Sequence, residues 1–585
     1  MAFNSIIYSS HEIIKASFLL HFCAETDKLR FSLSNRDHLM AKKNKKNKRS
    51  RIISDKRTAA RPANDTLPEL SQHQLLGLTL IVVCIYYGYS FLSNGFYQHD
   101  EAGHFVNMRT FWHDPKIILG IWAKPGYKLL FVIPSLLGPH FILFYNALIA
   151  GLTCFFTYKL CEKAGCKTPL FAFILLAFQP FWFQLAFRNY SETVSALILV
   201  LFLYMHYVDR KWIAALLLSY IVLTRQELYV FLGLYGLYLL LNKKFIPMLL
   251  LAVFPLLNHL WGWAVTGDPL FLYNQIFGTL ETIQSAYPSM GFFHYFRMSL
   301  VIFGALALIY YLVYLGQLIF YKQRVEWFVF LAFTLFFLEY CVFQNKLIQI
   351  GPSGAGNLRY MNVVSPFIAI LGAMALERLP DMKSRSKLLI LLIPFSILAL
   401  IYMRFKHNNL AYIPQDDYTP LLLVLIVVFS VFLLNKKRQI LYFLIAASAV
   451  FTVLTLKPMQ RSAEDRVMYE AVEWAKQNKS DSHPILASHT LFYYFWGKTR
   501  HDFPEGAAVI DQDAVNQAEI GTQIFWDSHY SYRPNLRSGQ VPHTYFLERE
   551  NEFRMLRQPF LSADRRFGLF VFEKIAVTDS MRLNE

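Results

Sequence analysis

A polytopic α-helical membrane protein of about 13 membrane-crossing helices, with a small α/β or α+β domain after them, is the fold class this sequence predicts. Three observations predict it. Apolar runs of about 20 residues recur from 73 to 456, each long enough to cross a hydrocarbon layer of roughly 30 Å. Charged residues make up 17% of the chain and mean hydropathy is +0.32, against roughly 25% charged in soluble domains. The loops between runs alternate between basic and less basic, as the positive-inside rule requires. The runs are continuous rather than alternating, which argues against a β-barrel.

Residues 1–70 read as a basic, disordered cytoplasmic tail. Lys42–Arg61 holds ten Lys/Arg and one Asp, about half of the net charge of +17. Such a run can bind nucleic acid, but lying against anionic lipid accounts for it better, and no nucleic-acid partner is expected. Met40 opens this tail, so translation can start there. The apolar patch Ile14–Cys23 is too short to span, and no signal-cleavage pattern is clear.

The predicted transmembrane part, 71–456, contains runs at 73–93, 139–158, 169–187, 191–208, 211–224, 228–241, 246–265, 298–320, 327–346, 359–376, 387–404, 419–435 and 438–456. The loops 159–167, 208–211, 242–244, 321–326, 377–387 and 435–439 all carry Lys or Arg and are placed in the cytoplasm. The loops 94–138, 188–190, 225–227, 266–297, 347–358 and 405–418 are placed outside. An odd number of spans puts 457–585 outside as well. That segment is polar, opens with an amphipathic helix at Ala463–Gln477, and continues with strand-like runs at Ile485–Ala487, Ala507–Ile510 and Gly568–Phe572. Its lack of cysteine excludes a disulfide framework there; all six cysteines lie at or before Cys341.

The chemistry-bearing candidates sit in the first external loop, 94–138, which is long enough to expect a function. Asp100 and Glu101 follow the first span at the water–lipid boundary, where a carboxylate can accept a hydroxyl proton. The plainer reading is that Asp100 caps the turn starting at Glu101. His99 and His104 are five apart and fail the zincin spacing of four, so no metal site is assigned, although Asp100 with a distant ligand is not forbidden. The run Ile117–Ile121 with Trp122 suggests a helix in the interface plane. Lys124-Pro125-Gly126 makes a turn that would hold an ammonium at headgroup level, to bind a lipid phosphate or merely to snorkel. Arg188 and Glu192, four apart, could form an ion pair or touch substrate, and Arg225-Gln226-Glu227 faces the same volume. Gly351–Gly356 lacks the phosphate-loop pattern and reads as a flexible lid beside Arg359.

The Asp-Glu pair after the first span, the Lys-Pro some 25 residues on, Arg188-Asn189-Tyr190-Ser191-Glu192 and Arg359-Tyr360 together resemble the GT-C superfamily of membrane glycosyltransferases. The pattern is similar to that of the protein O-mannosyltransferases, the lipid A aminoarabinose transferase and their bacterial relatives, over about residues 73–380. It departs from them in having Gly126 where a second proline is usual and Glu192 where Asp is often found. His99-Asp100-Glu101 also resembles the His-Pro-Asp-Glu of eukaryotic lipid-linked mannosyltransferases without its proline.

The resemblance implies a mannosyltransferase-like enzyme of the cell envelope. Its partners would be a polyprenyl-phosphate-linked sugar, membrane lipid, and a glycan, lipid or protein acceptor. Configuration inverts, with Asp100 as base, Glu101 orienting or assisting, Lys124 and Arg359 holding the donor phosphate, and Arg188, Glu192, Arg225 and Tyr360 in weaker substrate contact. No cofactor is required, and a divalent metal is not implied. A bacterial inner membrane is the expected location. The competing readings are a transporter or flippase of a lipid-linked substrate, and a non-catalytic subunit that anchors the C-terminal domain. A transporter should gather charges at mid-bilayer in paired broken helices, whereas these gather in loops on one side.

Overall fold

The computed structural model describes residues 67–576, apart from 68, 94–95, 97–98, 120–123, 278–288, 345–355, 406–418 and 534–538. The basic tail to residue 66, Trp122 and nearly all of the glycine-rich 351–356 segment therefore lie outside the described residues.

Among the described residues, six helices are long and apolar enough to cross a membrane: Gln72–Ser90, Pro139–Lys163, Phe245–Thr266, His294–Tyr321, Leu358–Glu377 and Lys437–Thr455. Five shorter apolar helices accompany them, at Ser191–Tyr207, Lys211–Ile221, Gln226–Leu241, Trp327–Phe343 and Thr419–Leu433. The chain is thus an integral, multi-pass membrane protein of helical type. Many of the helices present large apolar side chains outward, such as Leu80, Ile81, Ile246, Leu249 and Val453, as a lipid-facing surface requires.

Two of the predicted runs are broken, the first of them at a proline. The run at 169–187 divides into Leu170–Ala177 and Pro180–Leu185, since Pro180 lacks the N–H that would continue the ladder. Against that proline the long helix His294–Tyr321 kinks at Gly304, whose φ of 72° suits glycine, and a Cβ there would come within 2.6 Å of Pro180 Cδ. The run at 246–265 divides into Phe245–Leu250 and Val253–Thr266.

The C-terminal region forms a mixed sheet in the order β2-β1-β3-β6-β4, with β5 also on β6. The strands are β1 Ile485–Ala487, β2 Ala507–Ala508, β3 Gln523–Asp527, β4 Phe553–Met555, β5 Phe560–Leu561 and β6 Gly568–Lys574. β1 pairs in parallel with β2 and β3, and β6 runs antiparallel to β3, β4 and β5. One sheet face packs on the helices Ala463–Gln477 and Thr490–Trp496, the other on Val515, Val541 and Phe546. The helix at Ala463–Gln477 buries Val467, Met468, Ala471, Val472 and Ala475, the stripe expected of helical spacing.

One short helix joins the two regions. His99–Thr110 buries Phe105 and Met108 in the membrane-helix core, and Ala102 and Val106 in the sheet core. Residues three and four apart share a helix face, so this element has two apolar stripes for two partners. Phe96 stacks on Tyr494 at 5.2 Å, and Arg109 donates to the Gly497 carbonyl at 2.8 Å.

Candidate active site

The helix His99–Thr110 places its two acids in the first turn, where the helix dipole favours negative charge. They face different ways. Glu101 is fully buried: its Oε1 accepts the Asn189 N–H at 3.0 Å, and its Oε2 lies 3.5 Å from Arg188 Nη1. The Asn189 amide donates to the Glu101 carbonyl at 2.8 Å and accepts the Tyr127 hydroxyl at 2.6 Å. Asp100 instead turns to Arg359, whose Nη2 donates to Oδ2 at 2.8 Å.

From Asp100 the charges continue as a ladder. Arg359 Nε lies 3.3 Å from Glu192 Oε1, which also accepts from Arg225 Nη1 at 2.7 Å. Arg225 Nη2 reaches Glu227 at 2.8 Å and the Tyr340 hydroxyl at 2.7 Å. Tyr190 lies under the Arg359 guanidinium at 4.3 Å, and Tyr360 under that of Arg225 at 4.4 Å. Among the described residues, Glu192 Oε2, Arg225 Nε and Arg359 Nε are buried without a hydrogen bond.

The ion pair of Arg188 with Glu192, one of the two readings of their spacing, does not form. Residues 188–190 are a turn and the helix begins at Ser191, so the two side chains never share a helical face. Arg188 belongs to Glu101, and Glu192 to Arg225 and Arg359.

Lys124 stands in the left-handed region at φ 51°, ψ 67°, directly before Pro125 at the start of the helix Pro125–Ser135. For a lysine this backbone costs roughly 1–2 kcal/mol, a strain often found at functional sites. Its Nζ donates to Ser191 Oγ at 3.0 Å, at the N-terminal end of the helix carrying Glu192. The Gly126 N–H donates to the Leu223 carbonyl at 3.0 Å, and a Cβ on Gly126 would come within 2.7 Å of Leu223 Cβ. A second proline could make neither contact, which accounts for Lys-Pro-Gly. Lys128, one turn on, is also buried, 3.0 Å from the Asn107 side-chain oxygen with that amide oriented to satisfy both groups.

Burial lowers the pKa of Lys124 to about 8, and that of Lys128 to about 7 with the Lys124 charge adding to the effect. Burial would raise that of Asp100, but the charges of Arg359, His99 and Lys124 outweigh it and hold the carboxyl below its ordinary value. Asp100 is therefore ionised at neutral pH, and a guanidinium masks it.

The structure thus brings Asp100, Lys124, Glu192, Arg225, Arg359 and Tyr360 to one place, with Glu101 and Arg188 paired behind it. Sequence reasoning missed Tyr340, a tyrosine among many in an apolar run, which no spacing signal marks. It also missed a cluster of Glu464, His489 and His529 beside His99, because those residues meet only through the folded sheet region.

No family model and no curated protein matches the chain at the level of sequence. Solved structures do match in fold. ArnT from Cupriavidus metallidurans bound to undecaprenyl phosphate superposes with a TM-score of 0.57 at 12% identity, over 85% of this chain and 97% of that one. The apo state of the same protein gives 0.54 at 12% identity over the same shares. The arabinofuranosyltransferase AftD from mycobacteria gives 0.44 at 11% identity, over 87% of this chain and 40% of that one. The ArnT match shows that this chain shares the fold of that protein.

Proposed function

We propose that the chain is an inverting, mannosyltransferase-like glycosyltransferase. It moves a sugar from a polyprenyl-phosphate donor to a hydroxyl of a glycan, lipid or protein acceptor, at the outer face of a bacterial inner membrane. The observation that carries this reading is the ion pair of Asp100 with Arg359 beside the strained Lys124. A neighbour of this fold, ArnT, was solved with undecaprenyl phosphate bound, which fits a lipid phosphate as the group those cations hold.

The reaction needs few parts. The acceptor oxygen attacks the anomeric carbon while the bond from that carbon to the phosphate oxygen breaks. The bonding pair leaves with the lipid phosphate, and the acceptor proton passes to Asp100. One inversion needs no covalent sugar–enzyme intermediate, so a single base suffices. Lys124 and Arg359 stabilise the negative charge on the leaving phosphate. Arg359 has a second task. Before the donor binds it masks Asp100; a phosphate competing for the guanidinium frees the carboxylate as the sugar arrives. Glu192 and Arg225 hold Arg359 in place, and their unsatisfied buried atoms suit a polar ligand.

Purified protein given a labelled polyprenyl-phosphate sugar and envelope acceptors should form a glycosidic bond. D100N should lose on the order of 100-fold or more in kcat without loss of donor affinity, since Arg359 is then free for the phosphate. Full activity in D100N removes Asp100 as base, and movement of lipid between leaflets without transfer replaces the proposal with the flippase.

A further inference from the structure

Three segments distant in sequence converge at the N-terminal end of the helix His99–Thr110. His99 opens that helix, Glu464 lies in the first turn of Ala463–Gln477, and His529 follows β3. One ligand atom from each falls within 4.8 Å of the others. Glu464 Oε1 is the centre, 2.6 Å from His529 Nδ1 and 4.0 Å from His99 Nδ1. We propose that His99, Glu464 and His529 bind one divalent transition-metal ion of the zinc class, which ties the first-loop helix to the sheet region and orients the imidazole beside Asp100.

The local structure supports a ligand set rather than a chance gathering. Glu464 is held by the helix start that Ser462 caps. His529 is held by Asp527, whose Oδ1 accepts the N–H groups of residues 529 and 530 at 3.0 and 2.6 Å. The neighbouring His489 donates through Nε2 to Glu464 Oε1 at 2.7 Å and is not itself a ligand. Its Nδ1 accepts the Leu491 N–H at 3.2 Å, which leaves Nε2 as the donor. His489 therefore fixes the carboxylate from behind, as groups outside a metal's own ligands commonly do.

His99 faces both ways. Nδ1 looks toward Glu464, and Nε2 lies 3.5 Å from Asp100 Oδ1. A metal on Nδ1 would leave the proton on Nε2, aimed at Asp100, which makes the carboxylate–histidine–metal arrangement. The chemistry of the set selects the ion. Two imidazoles and one carboxylate suit zinc and its neighbours, whereas calcium and magnesium take oxygen ligands. Tetrahedral bonds of about 2 Å put ligand atoms roughly 3.3 Å apart, so the Glu464–His529 pair at 2.6 Å must open and the Glu464–His99 pair at 4.0 Å must close, each by less than about 1 Å. The partial exposure of His529, 31%, leaves room for that movement and for a water as fourth ligand.

The test is a binding measurement that does not depend on which reaction the protein performs. Full-length protein in detergent is stripped with a chelator and titrated with zinc, reading metal per chain by mass spectrometry and the unfolding temperature. One tight equivalent and a raised unfolding temperature are expected. H529A and E464Q should each weaken that equivalent by on the order of 100-fold, and H489A by about 10-fold. The metal-free unfolding temperature of H529A reports whether its fold is intact. Cobalt in place of zinc should show a tetrahedral d–d spectrum without a thiolate charge-transfer band, which separates this site from the free cysteines. Equal affinity in H529A and the unsubstituted protein, no saturable equivalent, or a thiolate band on the tight equivalent overturns the proposal.

Discussion

Asp100 and Glu101 are adjacent in the chain and unlike in surroundings, and substitution should separate their tasks. Glu101 is enclosed by Arg188 and Asn189, so its charge fixes the start of the helix that presents Asp100. R188L would leave that carboxylate buried without its cation, a loss of about 3–5 kcal/mol in stability. E101Q should lower the unfolding temperature yet cut kcat of the folded fraction less than tenfold, opposite to D100N; thermal unfolding beside single-turnover rates reads the difference. Lys124 gives a pH signature. Its pKa lies near 8, below the ordinary lysine value, so it is cationic below that pH and loses its charge above it. The kcat/KM for donor, which reports the free enzyme, should hold through neutrality and fall above about pH 8. K124R, always charged, should remove that alkaline limb; a limb unchanged in K124R assigns it to another group. Much of this site was legible in the sequence, because acids and lysines are conspicuous in an apolar chain. Partnership was not. Which arginine meets which acid depends on where a helix starts, and the start at Ser191 leaves Arg188 to Glu101 rather than Glu192.

At the scale of elements, the turn Lys124-Pro125-Gly126 converts backbone contact into side-chain position. Proline fixes φ at the first helical residue, the Gly126 N–H is anchored on Leu223, and Tyr220 donates to the Gly126 carbonyl at 2.6 Å. A methyl at 126 would meet Leu223 Cβ at 2.7 Å, closer than carbon atoms approach. G126A should therefore cost about 1–3 kcal/mol and raise the KM for donor more than it lowers kcat, since Lys124 moves while Asp100 does not. A kcat loss with unchanged KM would detach the turn from donor binding. Apolar runs showed in the sequence where helices lie, since length and hydropathy are local properties. The breaks at 178–179 and 251–252 were hidden, as was β3, whose five residues, Gln523–Asp527, are framed by polar ends and gain their burial from both sheet faces. Burial of that kind is set by neighbours far along the chain, which a single sequence does not display.

At the scale of the whole molecule, the membrane helices and the sheet region share one element, and this makes the C-terminal region part of the site. The helix His99–Thr110 inserts Ala102 and Val106 into the sheet core while Phe105 and Met108 stay in the membrane core. Gly103 sits 3.6 Å from Thr490 by its would-be Cβ, Thr490 donates to the His99 carbonyl at 3.4 Å, and Arg109 reaches Gly497. The Thr490–Gly497 segment supplies these contacts, while His99 meets Glu464 and His529. A chain ending at residue 456 would keep all the apolar helices but leave Ala102, Val106 and the Phe96 ring facing water, and the first turn holding Asp100 unsupported. Such a chain should still insert and show full helical circular dichroism per residue of membrane part, yet lose transfer activity by at least the factor lost in D100N. A milder variant argues the same point without deletion. V106D puts a charge into the sheet core and should make the 99–110 segment a protease-sensitive site while the membrane helices stay protected. Limited proteolysis read by mass spectrometry checks both. Protection of that segment in the shortened chain would mean that the membrane core alone holds the helix, and that the sheet region serves some purpose other than presenting Asp100.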